Sequence, residues 1–144
     1  MLRYLLDTNI VSQPAAKTPA ASVLRKLRNV GDQCAIATPV WHELQYGCKR
    51  LPAGKRREAL EDYLSEVVQV SFPILPYDEA AAKRHAVERA RLEETGTTMP
   101  FVDGQIAAIA LVNDLVLVTG NVKDFAPFTG TGGPFAGLVV ESWA

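Results

Sequence analysis

The chain has 144 residues, 48% of them hydrophobic, and a formal net charge of −1. This length fits one compact domain with its own hydrophobic core, and the apolar content argues against a disordered chain. The charge balance lacks the large basic excess typical of nucleic-acid-binding proteins, although a local basic patch can still attract phosphates.

In the first part of the chain, short apolar runs alternate with helical periodicity. Residues 2–6 predict a buried strand followed by a turn, and residues 20–28 carry apolar side chains at helical spacing. A second strand is expected over 34–37. The Thr-Pro pair that follows predicts a helix over 38–49, with the threonine as N-cap and the proline in the first helical position.

The same alternation continues to the end of the chain. The remaining predicted elements are, in order, helix 55–70, strand 72–75, a helix from Asp78 as N-cap to residue 94, a helix opened by Pro100 and ending at 113, strand 115–118, turn 119–121, a glycine-rich loop at 130–134 and strand 137–140. Short buried strands that alternate with helices are typical of a parallel sheet covered by helices on both faces. We therefore predict a single α/β domain over residues 1–144 with a mainly parallel central sheet.

The two cysteines and the apolar segments bear on the cellular compartment. Cys34 and Cys48 form no CxxC motif and lie in apolar surroundings, which predicts buried, reduced thiols. The apolar run at the N-terminus is too short for a signal peptide, and no stretch is long enough to span a bilayer. We expect a soluble, cytoplasmic protein that does not enter a membrane.

Several acidic residues occupy positions at which functional sites form in parallel sheets. Asp7 directly follows the first strand, and Asp124 follows strand 115–118 beyond a tight turn. Asp103 lies in the first turn of its helix, whose small residues favour close packing. Because sites in such sheets form beyond the carboxyl ends of the strands, we expect these side chains to converge.

Glu43 is informative because of the residues around it. On its helix it shares a predicted face with Val40, Leu44 and Gly47, which is an apolar stripe. A glutamate in an apolar stripe is costly unless its charge is compensated, and a cation is the obvious compensation.

A structural role is open for three of these acids. Asp7 could cap a helix, Asp103 could interact favourably with the dipole of its own helix, and Asp124 could be a solvated turn residue. Asp7 and Glu43 are harder to explain in this way, because each interrupts an apolar segment.

Four short motifs, taken together, resemble a known family. They are LLDTN at 5–9, T-x-x-x-x-E-L-x-x-G at 38–47, D-x-x-I-A-A-I-A at 103–110 and T-x-N-x-x-D-F at 119–125. In this order and spacing they resemble the PIN-domain family, and within it the VapC-type toxins of bacterial toxin–antitoxin pairs. The resemblance implies a three-layer α/β/α fold, Mg²⁺- or Mn²⁺-dependent endoribonuclease activity, a homodimer and inhibition by a cognate antitoxin protein.

The resemblance also assigns roles to individual residues. The acidic cluster would be formed by Asp7, Glu43, Asp103 and Asp124, with the first three as metal ligands. The supporting polar residues would be Thr8, Asn9, Thr119 and Asn121. Gly120 departs from the family pattern, because members often carry a larger polar or basic residue there.

The chemistry of the acids agrees with this assignment. Carboxylates are hard oxygen ligands, so a cluster of them without histidine or cysteine indicates Mg²⁺ or Mn²⁺ rather than zinc. A bound divalent ion can activate water and stabilise the charge that develops during phosphodiester cleavage. We interpret His42 and His85 as ordinary surface or packing residues.

The basic run after the Glu43 helix contains the candidate RNA contacts. They are Lys49, Arg50 and Arg56. Most other basic residues are expected only to solvate helix faces.

Other Mg²⁺-binding or nucleotide-binding α/β proteins fit the sequence less well. A haloacid-dehalogenase-type phosphatase needs a second aspartate two residues after the first, where Asn9 stands, and a receiver domain needs an acidic pair near the end of its first strand. A dinucleotide-binding domain needs GxGxxG after that strand, and the sequence has none. The remaining alternative is a catalytically inactive PIN-like module that binds RNA or protein, which a cleavage assay distinguishes.

Overall fold

The computed structural model describes residues 1–129 and 133–143, and its strands form one five-stranded sheet. The strands are β1 (Tyr4–Leu6), β2 (Cys34–Ala37), β3 (Ile74–Leu75), β4 (Val116–Val118) and β5 (Val140–Glu141). Every residue of β1 and β2 is buried. This burial is typical of parallel strands that are covered on both faces, and it explains why they read as continuous apolar runs.

Helices connect the strands. They are α1 (Thr8–Val11), α2 (Ala21–Val30), α3 (Thr38–Lys49), α4 (Lys55–Asp62), α5 (Gln69–Ser71), α6 (Glu79–Glu94), α7 (Phe101–Val112) and α8 (Val122–Phe125). A π-helical segment, Tyr63–Val68, joins α4 to α5, so the predicted helix over 55–70 forms with an irregular middle. Within the described part of the chain, no helix has both the length and the apolarity needed to cross a bilayer.

The strand order creates a point at which the sheet changes direction. The order is β3-β2-β1-β4-β5, and every pairing is parallel. The chain therefore builds the sheet in one direction from β1 to β3 and in the opposite direction from β4 to β5. Right-handed crossovers then place the helices of the two halves on opposite faces, in agreement with the expected three-layer α/β/α fold. The crevice beyond the carboxyl ends of β1 and β4 is the topological switch point, where ligands bind in such sheets.

Some element boundaries differ from the prediction. β1 is followed by the short helix α1 and not by a simple turn. Ala37, not Thr38, occupies the N-cap of α3, and the Thr38 hydroxyl oxygen instead accepts a hydrogen bond from the Tyr77 amide at 3.2 Å. The N-cap at Asp78 is confirmed. Residues 130–132 of the predicted glycine-rich loop lie outside the described residues.

A buried ionic cluster on α6 contacts the segment that follows the predicted glycine-rich loop. The Glu88 side chain is 1% exposed and accepts hydrogen bonds from Arg84 Nε at 3.2 Å and Arg91 Nη1 at 3.0 Å. Its second oxygen accepts from the backbone amide of Phe135, and Arg84 also donates to the Ala136 carbonyl. A buried carboxylate needs this number of donors, so the cluster fixes the segment against α6.

The two thiols are buried and unpaired, as predicted. Burial, with a smaller contribution from the Asp32 charge, raises the pKa of the Cys34 thiol to about 12. Cys34 therefore remains protonated at neutral pH and contributes to the core as a small apolar residue.

Candidate active site

Asp7 lies at the carboxyl end of β1, at the switch point. Its backbone amide donates to the Val118 carbonyl at 2.9 Å, which continues the pairing of β1 with β4. One carboxylate oxygen accepts from the Thr8 amide at 2.8 Å, and the other accepts from the Thr119 hydroxyl at 2.8 Å. Asp7 is also the N-cap of α1, so its structural role is real. These contacts fix the orientation of the carboxylate.

The predicted supporting residues connect the ends of β1 and β4. Thr119 is fully buried, and its hydroxyl oxygen accepts from the Asn121 amide at 3.0 Å while it donates to Asp7. The Gly120 amide donates to the Asn9 side-chain oxygen at 2.9 Å. Thr8 and Asn121 therefore contribute backbone amides, whereas Asn9 and Thr119 contribute side chains.

Asp103 lies near enough to two of the other predicted acids for their charges to act on it. It lies half-buried in the first turn of α7. Burial raises its pKa above the usual value, and the charges of Asp7 and then Asp124 raise it further. Asp124 lies on α8 and is exposed. The three aspartates therefore accumulate negative charge at the switch point, which is an environment that favours a cation.

Glu43 does not lie in an apolar stripe, and this expectation was wrong. Its side chain is 46% exposed, and its carboxylate lies 3.9 Å from Nδ1 of the His42 ring. The buried face of α3 is formed by Val40, Leu44 and Cys48, at four-residue spacing, so Glu43 lies beside that face and not within it. Glu43 is also absent from the charges that act on Asp103.

The donor set fits a hard divalent cation. Among residues 1–129 and 133–143, no three His, Cys, Asp or Glu side chains lie close enough together to enclose a metal ion. Mg²⁺ does not require such a cage, because it is usually held by one or two carboxylates and keeps several waters. The carboxylates of Asp7 and Asp103 are hard oxygen donors, the type that Mg²⁺ and Mn²⁺ prefer and zinc does not require.

The close packing of α7 depends on Gly104, next to Asp103. A Cβ atom at Gly104 would lie 2.4 Å from His85 Nε2. The His85 ring is buried, and its other nitrogen lies 2.8 Å from the Tyr77 hydroxyl. Burial, and then the Arg89 charge, lower the pKa of His85. His85 is thus a packing residue, as interpreted, and it determines how closely α6 and α7 approach.

Sequence reasoning did not find the contact that anchors α1. The Tyr63 hydroxyl, in the π-helical segment, donates to the Val11 carbonyl at 2.6 Å. Burial raises the pKa of Tyr63 to about 12. The partners are separated by 52 positions, and the only local signal is a tyrosine on the apolar face of a helix.

The three candidate RNA contacts have different surroundings. Lys49 lies 3.8 Å from Glu61 and is partly neutralised by it. The Arg50 guanidinium lies over the Tyr46 ring, 5.5 Å from its centre. Arg56 is exposed at the start of α4.

Comparison with known proteins extends over nearly the whole chain. Residues 4–126 match the PIN domain family. The chain is 33% identical over 126 residues to Ribonuclease VapC2 of Haemophilus influenzae, covering 87% of this chain and 91% of that protein. It is 31% identical over 145 residues to the tRNA(fMet)-specific endonuclease VapC of Shigella flexneri, covering 100% of both. The crystal structure of VapBC2 from Rickettsia felis, bound to a DNA fragment from its promoter, superposes with a TM-score of 0.80 at 27% identity, covering 99% of this chain and 100% of that chain.

Proposed function

This chain belongs to the PIN domain family, and on that premise we propose that it is a divalent-metal-dependent endoribonuclease, the VapC-type toxin of a toxin–antitoxin pair. The observation that supports this most directly is the electrostatic environment of Asp103, where Asp7 and Asp124 add negative charge to a half-buried carboxyl. Such repulsion persists where function requires it, and a bound cation would relieve it.

The proposed metal ligands are the pair Asp7 and Asp103, joined by Glu43 if its exposed side chain turns towards them when the ion binds; Asp124 is the fourth acid of the cluster. Mg²⁺ or Mn²⁺ held there would supply an activated water and stabilise negative charge on the phosphodiester. Thr119 donates a hydrogen bond to Asp7 and so helps to fix the orientation of its carboxylate. Lys49, Arg50 and Arg56 are the proposed phosphate contacts of the RNA.

The experiment is a cleavage assay with the purified, antitoxin-free chain. We expect cleavage of labelled RNA in Mn²⁺ or Mg²⁺ and none in EDTA; tRNA(fMet) is included because a relative is named for it. Loss of a residue that only supports a metal ligand typically costs about 10–100-fold, so Asp7→Asn, which removes a proposed ligand, should reduce the rate at least about 100-fold.

Asp114→Asn is the matched control for this assay. Asp114 is exposed at the amino end of β4, on the opposite edge of the sheet, so this variant should cleave like the wild type. Equal cleavage in EDTA would contradict the metal-dependent mechanism, and the absence of cleavage of any RNA would favour an inactive PIN-like binding module.

The proposed partners follow from the same assignment. A group of partly exposed carboxylates suits an inhibitor that inserts a basic side chain, so we propose that the cognate antitoxin places an arginine or lysine near Asp7 and Asp103. A homodimer that acts in the cytoplasm completes the proposal. The structural similarity to VapBC2 of Rickettsia felis supports a complex of this type.

A further inference from the structure

The exposed side of α3 carries three flat side chains in a row. His42 and Tyr46 lie on α3 and Arg50 is its C-cap residue; at four-residue spacing the three follow one another along one side of the helix. The His42 and Tyr46 ring centroids are 6.1 Å apart, with 14° between the ring planes. The Arg50 guanidinium lies 5.5 Å from the centre of the Tyr46 ring. We call these three residues the α3 stacking row.

The α3 stacking row does not serve the core of the domain. The core-facing side of α3 is formed by Val40, Leu44 and Cys48. Tyr46 is 55% exposed, and no hydrogen bond of its hydroxyl occurs among the described residues. His42 and Arg50 flank the ring, so a planar ligand would join this row by taking the place of one of them against the exposed Tyr46 side chain.

The charge in the row is also available. Arg50 has no acidic partner among the described residues, whereas Lys49 and Arg57 both lie within 4 Å of Glu61, at 3.8 and 2.9 Å. Its described contact is the Tyr46 ring. The row therefore presents an exposed tyrosine and, against its ring, a cation without an acidic partner among the described residues.

Single-stranded RNA matches both features. Unstacked nucleobases bind to aromatic side chains and to guanidinium planes, and the adjoining phosphates bind cations. His42 begins the row, and its ring nitrogen lies 3.9 Å from Glu43, a proposed metal ligand. We infer that the α3 stacking row binds a nucleobase of the RNA substrate, with Tyr46 as its central stacking residue. This inference depends on the proposed function.

The test measures RNA affinity separately from cleavage. A fluorescently labelled, unstructured RNA is bound at fixed salt to the Asp7→Asn variant, and anisotropy gives the Kd. Adding Tyr46→Ala should weaken binding roughly 5- to 100-fold, the range for loss of one base–aromatic stack. Tyr46→Phe and Tyr46→Trp should retain binding. Val70→Ala, which truncates a side chain that is 76% exposed on α5, is the control and should not alter it.

An abasic oligonucleotide of the same length distinguishes stacking from charge. Tyr46→Ala should leave the affinity for this probe unchanged, because it has phosphates but no bases. Arg50→Ala should weaken both probes and reduce the salt dependence of binding, because it removes one phosphate contact.

Failure of this inference can be separated from failure of the proposed function. If the wild type cleaves RNA but Tyr46→Ala binds the base-bearing probe normally, the stacking row is wrong and the nuclease assignment stands. If the wild type cleaves no RNA, the nuclease assignment fails and the substrate role of the row fails with it. Sedimentation velocity tests a protein partner: if Tyr46→Ala changes self-association and leaves RNA affinity unchanged, the face joins two copies of the chain, and the inference is overturned.

Discussion

The position of Asp103 beside Asp7 and Asp124 gives the folded protein a pH dependence with a defined sign. Burial and the two neighbouring charges raise the pKa of Asp103 above its usual value of 3.8. A carboxyl with a higher pKa in the folded state binds its proton more tightly there than in the unfolded chain. Its ionisation therefore costs stability as the pH rises through the unfolded and then the folded pKa, and costs nothing below both.

Asp103→Asn removes this cost. In metal-free buffer at pH 7 the variant should melt above the wild type, by about 2–4 °C for each kcal/mol of repulsion relieved in a chain of this size. The difference should shrink as the pH is lowered towards 4. The measurement is a thermal melt across pH, with the exposed Asp114→Asn as control. A lower melting temperature for Asp103→Asn at pH 7 would mean that the carboxylate stabilises the fold.

At the residue level, some features of the site could be predicted from the sequence and others could not. Asp7 could be identified from the sequence because it directly follows an apolar run, which is a local signal. Its contact with Thr119 spans 112 positions and depends on β4 lying beside β1, which no local pattern specifies. Glu43 was placed incorrectly because the apolar face of α3 was drawn through Gly47, whereas the buried face passes through Cys48.

At the level of secondary-structure elements, the packing of α7 against α6 determines where Asp103 lies. The sequence indicated that small residues let α7 approach closely, and Gly104 confirms this. The contact of Gly104 with the His85 ring could not be predicted, because it depends on the rotation of both helices about their axes.

The substitution Gly104→Ala tests how α7 packs against α6. The added Cβ would lie 2.4 Å from His85 Nε2, and the buried ring has little room to move, so we expect a loss of about 1–3 kcal/mol in urea unfolding. Gly47→Ala on α3 is the control, because its Cβ meets nothing within 4 Å and it should gain up to about 1 kcal/mol from helix propensity. In the His85→Ala background the penalty at Gly104 should largely disappear. An equal penalty in both backgrounds would show that the His85 ring is not the cause.

Strand ends were the least predictable part of the elements. Phe72 and Leu115 are buried, as their apolar character indicates, yet β3 begins at Ile74 and β4 at Val116. Burial follows from the residue itself, whereas membership of a strand requires a hydrogen-bonded partner. Periodicity therefore identified the apolar segments but not the point at which pairing starts.

For the whole molecule, alternation of strands and helices was sufficient to predict a parallel α/β fold, but not the strand order. That order makes the carboxyl ends of β1 and β4 neighbours, and so brings Asp7 and Thr119 into contact. The candidate site is thus a property of the topology as much as of the residues. A ligand bound there contacts both halves of the sheet.

A cation at the switch point should consequently stabilise the entire domain. An ion that binds only the folded state adds about 2.7 kcal/mol at a concentration 100 times its Kd, which corresponds to a rise of about 5–10 °C in melting temperature for a chain of this size. We expect this rise for the wild type and for Asp114→Asn when Mn²⁺ is added. Asp7→Asn and Asp103→Asn should lose most of it, because they remove proposed ligands. Glu43→Gln tests the most exposed proposed ligand, and an undiminished rise in melting temperature would remove Glu43 from the ligand set. Asp124→Asn should retain part of the rise in melting temperature. If Asp7→Asn and Asp103→Asn both kept the full rise, Mn²⁺ would bind elsewhere on the protein.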